Sequence, residues 1–198
     1  MRAGRRARPY FGGMVAGRAT KKTKRRGRRA TALVLVLVLL WVALSAKLFV
    51  WPAHDPVAGA HADAVVVLNF PGRRWQVAQE LARERAAPVM LVSVASVEWN
   101  CPLTSFPGVR LECFRPDPFS TMGEARYAAD QARQHGWHSL IFVTSLAQAT
   151  RARVRVKRCF NGSVQVVVEP RPSLPALAYD VVYEWGALAK ALIWQRAC

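Results

Sequence analysis

Acidic side chains are missing from the first 29 residues, which carry twelve Lys and Arg. The other 17 cations are spread among all 12 acids, so the net charge of +17 describes the amino terminus and not the folded part. Charge of either sign is then missing from Ala30 to Ala46, which reads ATALVLVLVLLWVALSA. A basic run alone is a footprint of nucleic-acid binding, but one that opens into an uncharged apolar segment is the cytoplasmic flank of a membrane helix. No nucleic-acid partner is expected. Cys-x-x-Cys spacing is also absent, which argues against a zinc or redox site. Neither a Gly-x-Ser-x-Gly elbow, nor a Walker-type loop, nor His-Glu-x-x-His occurs, so the common hydrolase and nucleotide signatures are missing. His54 and His61 have no carboxylate or thiol at ligand spacing and read as solvated; neither a metal nor a cofactor is expected. There is no internal repeat.

What is present divides the chain. A spanning helix needs about 20 apolar residues. After Lys47, which can snorkel to the interface, the chain continues Leu48-Phe49-Val50-Trp51 before Pro52. Residues 30–51 read as one transmembrane helix and residues 1–29 as its cytoplasmic tail. Residues 52–62, with two prolines, Gly59 and two histidines, read as a short stalk. Residues 63–198 form the extracytoplasmic domain, and the membrane in question is the plasma membrane. Cleavage of a signal peptide at Leu44-Ser45-Ala46 is the alternative, against which the length of the apolar run argues. In an oxidising compartment the even set Cys101, Cys113, Cys159 and Cys198 points to disulfides, with three pairings open. Pairing Cys101 with Cys113 would close a short loop, worth roughly 3 kcal/mol on the chain-entropy model.

Within the domain, Asp63 to Leu68 and Pro88 to Val94 are apolar runs without alternation, as expected of strands covered on both faces. Leu140 to Val143 and Ser163 to Glu169 are further strands, and Val109 to Phe114 is a shorter, more exposed one. Helical spacing marks Trp75 to Ala86 and a segment that opens at Ser120-Thr121 and ends near His135-Gly136. The stretch from Arg151 to Arg158 alternates basic and apolar like a strand, yet Ala149, Ala152, Val156, Cys159 and Phe160 recur at helical spacing, and helix is expected. Leu177 to Arg196 is a final helix, and Ala95 to Pro107 an irregular loop. Strands alternating with helices argue for a mostly parallel α/β sheet covered on both faces.

Ligands of such sheets bind beyond the carboxyl ends of the strands. Thr121-Met122-Gly123-Glu124 fits a capping box in which Glu124 returns to the cap backbone; the competing role for Glu124 is catalytic. Ser120 and Thr121 open that helix. Thr144 and Ser145 are expected to end a strand and start the next helix, capping it or touching a ligand. Gln148 and Arg151, three residues apart, project from nearly one face. Arg73 and Arg74 follow the first strand, where they meet an anion or are simply solvated.

Asp63-Ala64-Val65-Val66-Val67-Leu68, Ser120-Thr121-x-Gly123-Glu124-Ala125-Arg126 and Val143-Thr144-Ser145-x-x-Gln148-x-x-Arg151-Ala152 together resemble the SanA/ElyC/YdcF-like family of bacterial envelope-associated proteins. The resemblance covers Asp63 to the last residue, and the cysteines look like those of high-GC Gram-positive members. It implies a Rossmann-like three-layer sandwich behind one membrane helix, and a part in peptidoglycan or lipid-carrier metabolism. The resemblance brings no settled reaction; the first hypothesis is an enzyme acting on an anionic envelope glycan or lipid-linked phosphate, with Glu124 as its base and Arg151 with Arg73 or Arg74 as its anion contacts. Ser120, Thr121, Thr144, Ser145 and Gln148 position it. One branch is reported to bind S-adenosylmethionine, which an outward domain disfavours. This chain departs from the family pattern at the turn Asn69-Phe70-Pro71-Gly72, at Met122 in place of arginine and at Gln148 in place of histidine. A non-catalytic envelope binding module is therefore the alternative function. Compartment, even count and resemblance together give the pairs Cys101–Cys113 and Cys159–Cys198.

Overall fold

The computed structural model describes residues 20–198, with side chains from Gly27 onward; the first 19 residues of the basic tail lie outside the described residues. The chain divides into two units between Val42 and Ala43. Helix α1 (Thr20–Ser45) begins within the basic run, ten residues before the expected start, and widens into a π-helical turn at Ala46–Val50. Gly27–Val50 is the one helix among the described residues long and apolar enough to cross a membrane. At about 1.5 Å per residue its 24 residues reach roughly 36 Å, against a hydrocarbon core of about 30 Å.

The second unit contains β1 (Ala64–Val67), α2 (Arg74–Arg83), β2 (Val89–Ser93), the short α3 (Val97–Asn100), β3 (Arg110–Phe114) and α4 (Thr121–His135). It continues with β4 (Ser139–Thr144), α5 (Ala149–Cys159), β5 (Ser163–Val168) and α6 (Leu174–Ile193). The five strands pair in the order β3-β2-β1-β4-β5, and every pairing is parallel. Because successive side chains point to opposite faces, each strand feeds two cores. Val65, Val67, Met90, Val92, Ile141 and Val143 pack on Val77, Ala78 and Leu81 of α2. Val66, Leu91, Leu140 and Phe142 pack on the other face against Ala125, Ala128, Ala129 and Ala132 of α4 and Ala152 and Val156 of α5. The result is a Rossmann-like α/β sandwich.

A third cluster joins Phe49, Leu146, Ala147, Leu177 and Leu188. Phe49 is fully buried, edge-on to Trp185 with centroids 5.3 Å apart, and the Trp185 indole donates to Ser45 Oγ at 2.9 Å. The end of the segment read as lipid-facing is thus covered by α6, because Trp185 and Leu177 offer a closer apolar partner. Residues 52–62 are bonded to the domain as well. β5 is an edge strand whose outward groups need partners. Asp55 supplies them, its N–H donating to Val166 C=O at 2.8 Å and its carboxylate accepting from Val166 N–H at 2.7 Å.

Two disulfides close, Cys101–Cys113 across the α3 loop and Cys159–Cys198 from the end of α5 to the segment after α6, which are the expected pairs. Two further boundaries in the domain differ from expectation. Helix α3 interrupts the loop at 95–107, and α6 starts at Leu174, because Pro175 in a first turn costs no hydrogen bond.

Gly123 shows how tightly the start of α4 is seated. A Cβ there would stand 2.1 Å from the Pro118 carbonyl oxygen and 2.8 Å from the Asp117 carbonyl carbon. Gly123→Ala should therefore cost about 1–3 kcal/mol, the range for overpacking a filled site. Gly186→Ala on α6, where nothing lies within 4 Å, should be neutral or stabilising by up to about 1 kcal/mol. Equal urea midpoints for the two variants would show that the close approach at Gly123 does not constrain the fold.

Candidate functional site

The strand order places the switch point between β1 and β4. From β1 the chain moves outward to β2 and β3, and from β4 it moves the other way to β5, so a crevice opens between their carboxyl ends. A cleft of about 510 Å³ lies there. Asn69 enters it after β1, Arg74 from α2, Ser120, Thr121 and Glu124 from the start of α4, Ser145 and Gln148 from the β4–α5 connection and Arg151 from the first turn of α5. Its remaining wall is α6, with Tyr179, Asp180, Tyr183 and Glu184.

Glu124 does not close a capping box. The cap of α4 is Ser120, whose Oγ accepts from the Gly123 N–H at 3.5 Å. The Glu124 carboxylate turns inward and accepts the Asn69 N–H at 2.7 Å. Gly123 explains the difference: with no side chain it lets the helix start lie under the Asp117–Pro118 turn, which aims position 124 at β1. Asn69 holds φ at +48°, a left-handed conformation that asparagine tolerates better than most residues, and this directs its N–H into the cleft. Glu124 is only 3% exposed. Burial pushes its carboxyl above the usual range, against the opposing pull of the Ser93 hydroxyl, the Asn69 N–H and the charges of Arg74 and Arg151.

Across the cleft, Arg151 Nε and Nη2 donate to the two Glu184 oxygens, each at 2.7 Å. Its Nη1 donates to Thr121 Oγ1 at 2.8 Å, and Gln148 Nε2 donates to the same oxygen at 2.8 Å. The Thr121 oxygen thereby has both acceptor positions filled, which leaves its O–H to donate. Burial favours the neutral form of Arg151, but the hydrogen bond and charge of Glu184, joined by the charges of Tyr183 and Glu124, together outweigh it and raise the guanidinium pKa. Arg74 Nη1 donates to the carbonyls of Leu68 (2.8 Å) and Asn69 (3.1 Å), and its Nε lies 3.5 Å from Glu169.

Three other positions behave differently. Thr144 is fully buried inside β4, its hydroxyl without a partner, and it does not line the cleft, because the strand runs one residue past Val143. Thr144 and Ser145 do not cap α5 either; its cap position is Gln148. Arg73 stays outside, 3.6 Å from Glu169 and bonded to the Arg171 carbonyl. Among the described residues no three His, Cys, Asp or Glu side chains gather to hold a metal ion. Sequence reasoning missed the α6 wall. Its signal was the pair Tyr179-Asp180 and Tyr183-Glu184, repeated one helical turn apart in an otherwise apolar helix.

No family model, no curated protein and no solved structure matches the chain.

The buried carboxyl gives a signed pH dependence. The Glu124 pKa in the fold lies above the ordinary value of 4.5, so the native state keeps a proton that the unfolded chain releases. Its contribution to stability is complete below that value and is lost as pH rises through the native pKa. Asp63, held by the His138 and Ser139 N–H groups and the Ser139 hydroxyl, has a lowered pKa and acts with opposite sign, losing stability toward acid. Glu124→Gln keeps an oxygen for Asn69 and removes the titration. Its melting temperature relative to wild type should climb between about pH 4 and pH 8. A difference constant over that range would mean that Glu124 titrates normally.

Proposed function

We propose that this chain is a membrane-anchored protein of the SanA/ElyC/YdcF-like type, its basic tail cytoplasmic and its domain outside the plasma membrane. In this reading the cleft takes an anionic, phosphate-bearing ligand of peptidoglycan or lipid-carrier metabolism. The cationic flank before the apolar helix and the two disulfides support the outward orientation.

The observation that carries the ligand reading is the state of Arg151. A guanidinium has five N–H donors in a fixed fork; three are spent on Glu184 and Thr121, and two remain at a residue that lines the cleft. Glu184 holds the fork rigid, so little freedom is lost when an anion docks. Thr121 offers its O–H beside it. Glu124, a carboxyl with raised pKa in the same cleft, is the group suited to moving a proton. The second reading, a binding module without turnover, is favoured by Gln148: its amide is engaged with Thr121 where an imidazole would serve as acid or base, and no histidine lines the cleft.

Arg151→Ala would leave Glu184 charged and buried, so the informative variant is Arg151→Gln with Glu184→Gln, which keeps a neutral hydrogen-bonded pair. It should fold and bind inorganic phosphate at least about tenfold more weakly than wild type, since charge-assisted bonds are lost. Unchanged phosphate affinity would sink the anion reading. Glu124→Gln separates the two functions, abolishing turnover in an enzyme and sparing ligand retention in a binding module. For topology, a reporter enzyme active only outside the cytoplasm and fused after Cys198 should be active; cytoplasmic activity would overturn the orientation.

A further inference from the structure

Arg151 and Arg155 stand one turn apart on α5, so their side chains are neighbours on one face. Arg151 has its acid. Arg155, only 4% exposed, donates to the backbone carbonyl and side-chain oxygen of Gln195, both neutral. Arg158 donates to the carbonyls of Ala191 (2.8 Å) and Gln195 (3.0 Å), and Arg126 to a backbone oxygen of Cys198 (2.6 Å). Among the described residues, no Asp or Glu carboxylate lies within ion-pair distance of Arg126, Arg155, Arg158 or Lys190. Burial and the charges of Arg158, Arg151 and Arg126 all pull the Arg155 pKa down, and no acid opposes them. The oxygens of Ala191 and Gln195 orient the Arg155 and Arg158 guanidiniums but bring no net negative charge, which leaves these two a place for an anion from solution.

A pocket of about 110 Å³ opens at this place, lined by Arg155, Lys190 and Gln195, and it shares Ser120, Thr121, Arg151 and Tyr183 with the main cleft. It is the smaller of the two cavities, about 110 Å³ against about 510 Å³, and its basic lining suits a phosphoryl group. We propose that this pocket is a second anion subsite, so that the ligand carries a diphosphate, one phosphoryl group on Arg151 and the other on Arg155 and Lys190. The inference rests on the reading of the cleft as a phosphate site and names the class of phosphate it takes. The wall common to both cavities, Thr121 with Arg151, lies where the bridging oxygen would sit.

Lys190 makes the test clean, because its side chain is exposed and forms no hydrogen bond or ion pair among the described residues. Calorimetric titration of the full chain in detergent micelles with inorganic phosphate and with pyrophosphate should show pyrophosphate bound at least about tenfold more tightly. Lys190→Glu should reduce that preference to within about twofold in a chain that stays folded. Lys157→Glu, an equal charge change at an exposed position of α5 outside the pocket, should leave it intact. Equal wild-type affinity for the two probes overturns the second subsite, and so does an equal effect of the two charge changes, which would mark a long-range field. Phosphate binding that is lost in the Arg151/Glu184 double variant, with no pyrophosphate preference in wild type, keeps the cleft reading alone. Pyrophosphate binding that needs Lys190 but not Arg151 keeps the basic subsite and sinks the cleft reading.

Discussion

The buried pair of Arg151 and Glu184 is the interaction on which the cleft depends. Both side chains are largely withdrawn from solvent and meet through two bonds of 2.7 Å, which is the geometry that offsets the desolvation of two charges. Removing one partner alone would strand the other, at a cost of about 3–5 kcal/mol. The pair also fixes α6 against α5. Further down the same two helices, Arg155 and Arg158 hold Gln195 and Ala191, and the Cys159–Cys198 disulfide closes the far end. The basic face of α5 is in this way a dock for α6.

On the opposite side the cleft is organised by a single long-range bond, from Asn69 N–H to Glu124. It joins the end of the first strand to the start of a helix 55 residues later. That bond exists because Gly123 lets α4 begin beneath the Asp117–Pro118 turn, and because Asn69 takes the left-handed conformation. The two halves meet at Thr121, whose hydroxyl oxygen accepts from Gln148 and Arg151. A polar network that spans four segments of chain is satisfied mostly within itself, so a ligand entering the cleft meets donors already oriented.

The segment following the apolar helix bears on the same wall. Phe49 and Ser45 pack on Trp185, the residue after Glu184, while the Leu48 carbonyl accepts from Thr150, the residue before Arg151. Arg171 donates to the Val50 carbonyl and lies over the Trp51 ring. The turn that follows the apolar helix is therefore built into the domain that carries the cleft.

The repeating unit of strand and helix was legible in the sequence, because burial on both faces forces continuous apolar strands and helical spacing forces small residues such as Ala125, Ala128 and Ala132 onto one side. The apolar helix and the grouping of Glu124, Gln148 and Arg151 were legible for similar reasons, resting on local pattern or chain-order topology, whereas the cysteine pairs rested on compartment, even count and resemblance. Which way a side chain turns is a different matter. Glu124 reads as a capping glutamate from its spacing alone, and only the close approach of Gly123 to Pro118 sends it to Asn69 instead. Thr144 reads as a strand-end hydroxyl and is buried, because a one-residue difference in strand length decides between cleft and core. Glu184 sits 33 residues from Arg151 in a helix that local pattern assigns to packing, and nothing short of the docked helices brings the two together. The sequence by itself determined the elements and the end of the sheet where the cleft lies; the tertiary structure decided which charges are paired and which N–H groups of Arg151 are engaged, since pairing depends on distances between segments that no local pattern encodes.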